Sequence, residues 1–188
     1  KIDTTFIYVT HDQTEAMTLG DRIVIMKDGI VQQVGTSQEV FEHPANLFVA
    51  GFIGMPQMNF FDAKLDIIDG KYVVKAGDVT VELSKDKQER LKANEVKAQD
   101  VTLGVRPEHV ELVSNDREDA VRATVDVSEM MGSEVHLHLS VLGKDAIIIV
   151  PTLDLESSNF EMGQEISFTF GGNVAHIFSK ENEKNLEY

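Results

Sequence analysis

Three places in this sequence bring together side chains that could do chemistry: His11 with Asp12 and Glu15, the pair His136 and His138, and the run Arg106-Pro107-Glu108. An imidazole beside two carboxylates can move a proton, or donate a hydrogen bond to an anionic group arriving from outside. The plain alternative for His11 is a strand-end histidine that bonds only local backbone. Asp12 and Glu15 read first as helix caps, the Asp/Glu version of a capping box, and second as catalytic carboxylates. His136 and His138 lie two apart on an alternating segment, so both face one side and could hold zinc if a third ligand arrived. They alternate with Val135, Leu137 and Leu139, the ordinary pattern of a half-buried strand, and no metal is assigned to them. Pro107 removes a donor and pushes Arg106 toward an extended shape. Arg106-Pro107-Glu108 therefore reads as a structural bend between strands, held by an arginine–carboxylate pair, with a regulatory surface as the second reading.

The elements that must position these groups follow from local pattern. Residues 6–9 are apolar, β-branched or aromatic, which predicts a strand buried on both faces. His11 then falls at its carboxyl end, where open α/β sheets place their ligands. Such a strand needs neighbours, and the sequence supplies too few, so the chain reads as the later half of a larger protein. Residues 22–26 and 30–34 are strands joined through Asp28-Gly29, a pair that tolerates the positive φ of a type I′ turn. Thr36 and Glu39 frame a capping box that opens a short helix to about residue 42, closed by Pro44. Asn46 caps a helix over 47–53, ended by Gly54.

Composition changes at residues 54–57, the expected boundary between a domain at 1–54 and a second at 55–188. Strands are expected at 60–68, 72–75, 79–83, 101–105, 109–113, 121–130, 135–142, 146–150 and 165–170, with one helix at 85–93. Several short strands at this spacing predict a small closed or half-closed barrel. Met130 and Met131 mark a strand break or bulge, with core filling preferred over a contact surface. The polar tail at 180–188 reads as frayed.

The chain has 188 residues and a net charge of −15, from 32 acidic against 17 basic side chains. A phosphate-backbone binder needs a clustered positive face, so nucleic acid is a poor partner. No stretch approaches the ~20 apolar residues of a membrane span. The absence of cysteine excludes disulfides and thiolate metal sites and suits a cytoplasmic setting.

Longer runs carry a family resemblance. Residues 10–26, from Thr10-His11-Asp12-Gln13-Thr14-Glu15-Ala16-Met17 through Arg22-Ile23-Val24-Ile25-Met26, resemble the switch-histidine segment of ABC-transporter ATPase subunits. Phe48-Val49-Ala50-Gly51-Phe52-Ile53-Gly54 and Met58-Asn59-Phe60-Phe61 resemble the subgroup driving carbohydrate import, of the maltose and multiple-sugar type. Leu103-Gly104-Val105-Arg106-Pro107-Glu108-His109 is similar to a recurring motif of that subgroup's C-terminal regulatory domain. The resemblance implies an α/β tail of an ABC nucleotide-binding domain followed by an all-β OB-like, TOBE-type barrel, with two interleaved lobes. It implies that His11 senses the γ-phosphate, that the intact parent uses ATP and Mg²⁺, and that this half carries no other nucleotide-binding residue. It further implies a homodimer formed through the C-terminal domain, permease subunits and regulatory proteins as partners, and a peripheral place on the inner face of the cell membrane. Phe160, Met162, Phe178, Met130 and Met131 are the candidates for the dimer contact.

The sequence contains no Gly-x-x-x-x-Gly-Lys-Ser/Thr loop, no Leu-Ser-Gly-Gly-Gln signature and no apolar strand ending in Asp-Glu. Without those groups phosphoryl transfer loses its main electrostatic stabilisation, and these 188 residues are not expected to hydrolyse ATP by themselves. Two alternatives stand beside the sugar reading. One is the ATPase of a polyamine, glycerol-phosphate or iron importer; the other is a barrel that binds a small oxyanion or sugar.

Overall fold

The computed structural model describes residues 4–155 and 159–188. It departs from the sequence reading at once. Residues 6–9 form no strand, and Phe6 and Val9 are 83% and 89% exposed. The apolar pattern is there, but a strand needs a ladder partner, and none of the described residues pairs with this one. Asp12 caps helix α1 (Gln13–Leu19) as expected, accepting from the backbone N–H groups of Thr14 and Glu15 at 2.8 and 3.1 Å. The reciprocal half of the box does not form. Glu15 instead accepts from the hydroxyls of Thr10 and Tyr8, at 2.9 and 3.1 Å, while the Asp12 N–H donates to Thr10 Oγ1.

The next elements follow local rules closely. Strands β1 (Ile23–Lys27) and β2 (Ile30–Gly35) pair antiparallel across Asp28 and Gly29, whose φ values of 51° and 79° suit the I′ turn. Helix α2 (Ser37–Glu42) has a closed capping box, with Glu39 N–H donating to Thr36 Oγ1 and Thr36 N–H to Glu39 Oε2. Helix α3 (Leu47–Phe52) is capped by Asn46, whose Oδ1 accepts from Val49 N–H at 2.9 Å. Ile23, Ile25, Val40, Val49 and Ile53 pack into a small core shared by the hairpin and both helices.

The remaining described residues form two five-stranded antiparallel sheets. The chain builds β3 (Asn59–Ile68), β4 (Lys71–Ala76) and β5 (Val79–Glu82), crosses helix α4 (Lys85–Ala93), and adds β6 (Gln99–Val105). It then makes β7 (Glu111–Val113), β8 (Val121–Met130), β9 (Glu134–Val141), β10 (Lys144–Pro151) and β11 (Glu165–Thr169) before returning as β12 (His176–Ser179). The orders are β12-β6-β3-β4-β5 and β10-β9-β8-β11-β7, so the last strand closes onto the first sheet after the second is complete. This is the interleaving that the family resemblance implied. One apolar core runs through both sheets, including Leu65, Leu103, Leu137, Ile148, Phe168 and Ile177. Full burial of each such side chain contributes about 1.5–3 kcal/mol.

Four local expectations are corrected. The strand expected at 109–113 shrinks to β7, because Pro107 starts a 3₁₀ turn over Pro107–His109. Strand β12 was not anticipated, and all four of its residues are buried. The strand break expected at Met130 and Met131 is present, with β8 ending at Met130 and β9 opening at Glu134, but both methionines are exposed instead of filling core. The tail is not frayed. Glu183 O accepts from Leu47 N–H, Asn185 N–H donates to Ala45 O, and the Asn185 side chain donates to Pro44 O at 2.9 Å. A polar tail stays ordered when its polar atoms complete another segment's backbone.

His176, on β12, is buried and stacks near Phe178 with ring centroids 6.4 Å apart. Burial first, then the positive charges of Lys87, Arg106, His109 and His43, push its imidazole down to about 3. An unfolded imidazole titrates near 6.5. Below that pH the unfolded chain takes a proton that the native state refuses, so stability is whole above about 6.5 and lost toward about 3. His176→Gln is expected to flatten the dependence of the urea midpoint on pH between 6.5 and 4. An unchanged slope would show that other groups govern acid unfolding.

Candidate functional site

His11 is exposed and stands one residue before the Asp12 cap. Helix α1 buries no residue, so its orientation rests on few contacts. Gln13 Oε1 accepts from Gly54 N–H at 2.8 Å, Ser37 Oγ donates to Met17 O at 2.7 Å, and Met17 leans on the small core of β1, α2 and α3. The imidazole is thus presented to solvent from a short helix pinned at both ends.

Behind Gly54 lies Arg106, at the end of β6, only 1% exposed. The expected arginine–carboxylate pair does not form. Glu108 points to solvent, while the guanidinium donates through Nη1 to Ile53 O at 2.7 Å and through Nη2 to Phe41 O at 2.6 Å. Its Cζ also sits 3.7 Å from the centroid of the Phe41 ring. Phe41 lies in the last turn of α2 and Ile53 caps α3, so one cation meets the negative ends of two helices. That arrangement supplies charge-assisted bonds and a cation–π contact in place of a counter-ion. Burial lowers the guanidinium to about 10, which leaves it charged at neutral pH. Pro107 is buried beside it and fixes the bend.

Gly54 fits this corner for two reasons. Its φ of +116° excludes most side chains, and a Cβ there would sit 2.6 Å from Arg106 Nη1.

The histidine pair does not converge. His138 Nε2 lies 3.1 Å from Glu129 Oε2, and His136 Nε2 lies 3.7 Å from Glu134 Oε2, so each faces its own carboxylate. Among the described residues no group of three or more His, Cys, Asp or Glu side chains is placed to hold a metal ion. Of the residues considered for an outward contact, Phe178 is fully buried and Phe160 packs against the core. Met130, Met131 and Met162 are exposed.

Sequence reasoning missed Gln13 and the ion pair of Lys87 with Glu187. Nothing local marks either one: Gln13 reaches across 41 positions and Lys87 across 100.

Residues 54–110 match the family described as the MalK OB fold domain, and residues 103–178 match the TOBE domain. The oligosaccharides import ATP-binding protein MsmX of Bacillus subtilis is 40% identical over 99% of this chain and 50% of its own length. The multiple sugar-binding transport ATP-binding protein MsmK of Streptococcus mutans is 43% identical over 97% of this chain and 50% of its own. The chain therefore spans about half the length of the curated relatives it matches. A solved structure of the cytoplasmic molybdate-binding protein ModG aligns with a TM-score of 0.50 over 63% of this chain and 94% of that one. At 13% identity that likeness concerns fold alone.

Proposed function

This chain belongs to the ABC-transporter ATP-binding proteins that carry a MalK OB fold domain and a TOBE domain, and from that premise we propose that it is the C-terminal part of the ATPase subunit of a sugar importer. The observation that carries the reading is identity of 40–43% along nearly the whole chain to two relatives named for oligosaccharide and multiple-sugar transport. The intact subunit hydrolyses ATP with Mg²⁺ on the inner face of the membrane and works against permease subunits. Among the described residues no helix is long and apolar enough to cross a membrane.

The residues present do not themselves make a nucleotide site, because the sequence lacks the glycine-rich loop with its lysine and the acidic strand end. No step of phosphoryl transfer is assigned to this chain. Its contribution is His11, an exposed imidazole able to donate a hydrogen bond toward a terminal phosphate held by other parts of the subunit. By themselves these residues are inactive.

The experiment is genetic and biochemical together. Deleting the gene should abolish uptake of oligosaccharides, and restoring the full-length subunit should return it. If polyamine, glycerol-phosphate or iron uptake is lost and sugar uptake is not, the sugar reading fails.

Residues 55–188 act as the regulatory and dimerisation module. A two-fold contact needs outward apolar side chains, and Met130, Met131 and Met162 supply them where Phe178 does not. Sedimentation equilibrium on the chain should show a dimer at tens of micromolar, weakened by Met131→Glu or Met162→Glu. A monomer throughout that range would refute a self-sufficient dimer contact.

A further inference from the structure

The switch histidine and the barrel are joined by a short run of polar contacts that the sequence motifs do not reveal. Helix α1 has no buried residue to set its angle. At its N-terminal end, next to His11, its tie outward is Gln13 Oε1 to Gly54 N–H at 2.8 Å. The peptide unit that carries this N–H also carries Ile53 O, which accepts from Arg106 Nη1 at 2.7 Å. One rigid amide plane is therefore held on one edge by the histidine's helix and on the other by the barrel's arginine. Arg106 cannot slide, because its second nitrogen is held by Phe41 O at 2.6 Å and its face lies over the Phe41 ring. Gly54 leaves no slack, since a Cβ there would collide with the guanidinium.

We propose that Gln13 and Arg106 are positioning residues for His11, linking the β6 corner of the barrel to the imidazole through the Ile53–Gly54 peptide. A displacement of the barrel relative to α2 and α3 then turns α1 and moves His11. The idea rests on the reading of His11 as the switch residue, and its test separates the two.

In the full-length subunit, Gln13→Ala and Arg106→Lys should each lower kcat about tenfold, the scale of a small misplacement of a reacting group, with nucleotide affinity unchanged. Gln13→Glu keeps the acceptor for Gly54 N–H and should restore the rate. In a His11→Ala background, Gln13→Ala should add no further loss, whereas a merely structural residue would add its own. The second readout needs no hydrolysis. In the 188-residue chain, the His11 Cε1–Hε1 NMR resonance should shift in Gln13→Ala and in Arg106→Lys, with near-UV circular dichroism unchanged. Should Arg106→Lys not fold, Gln13→Ala on its exposed helix decides. A His11 resonance unmoved by Gln13→Ala, or a normal kcat for Gln13→Ala beside a slow His11→Ala, overturns the link. A normal kcat for His11→Ala overturns the switch role instead, and the resonance then still judges the link.

Discussion

His11→Ala in the full-length subunit is expected to lower steady-state ATP hydrolysis by about a hundredfold or more, the usual range for a positioned acid–base or hydrogen-bonding side chain. Nucleotide affinity should hardly change. Affinity in such proteins comes from a glycine-rich loop and its lysine, which this sequence does not contain, whereas the proposal asks of His11 only one hydrogen bond, from an exposed imidazole, to the terminal phosphate. The loss should therefore fall on kcat and leave binding of a fluorescent nucleotide analogue intact, as for an interaction made mainly in the transition state. Among the described residues the mutation removes no packing, because His11 is exposed there and α1 is capped by Asp12 regardless. Its melting midpoint should match that of the parent. A variant with near-normal turnover would make His11 a surface residue and remove the catalytic part of the proposal.

Glu187→Ala should produce the largest loss of stability. The Glu187 carboxylate is fully buried, 2.7 Å from the Lys87 ammonium, whose side chain is 5% exposed, with Arg90 Nη1 at 3.5 Å. Deleting the acid leaves a buried ammonium without a counter-charge, which costs about 3–5 kcal/mol. The urea midpoint should fall accordingly. A control makes the comparison: Lys71 and Glu82 also lie 2.8 Å apart, but both are more than half exposed. Glu82→Ala should cost less than about 1 kcal/mol. Replacing both buried partners, Lys87→Met with Glu187→Leu, should recover most of the loss, since desolvation of the two charges is then avoided. Equal losses for Glu187→Ala and Glu82→Ala would mean that the tail is not held by its charge pair.

The same tail shows where local reading stops. Residues 180–188 are polar enough to be taken as frayed, but Asn185 completes the backbone of Pro44 and Ala45 and Glu187 reaches α4. Arg106 was legible as a bend with Pro107, but its partners were misjudged. A neighbouring carboxylate is the expected mate of an arginine in sequence, and two helix-end carbonyls took its place. Residues 6–9 erred the other way: their pattern is that of a strand, and the pattern alone cannot supply a partner.

The sequence by itself determined what acts over a few residues. Asp12, Thr36 and Asn46 cap their helices, Asp28-Gly29 turns its hairpin, and α4 and β8 run between the expected ends. It also carried family membership, because long runs such as residues 10–26 hold many residue types in register at once. Tertiary structure alone decided the return of β12 to the first sheet, the burial of Phe178, the seat of Arg106 and the Gln13–Gly54 bond. Caps and turns satisfy backbone groups at fixed short offsets, so they leave a mark in the sequence. Arg106 and Ile53 are 53 positions apart and Asn185 and Pro44 are 141 apart. Which such groups meet depends on the order in which ten strands stack, and any polar side chain of the right reach could have answered.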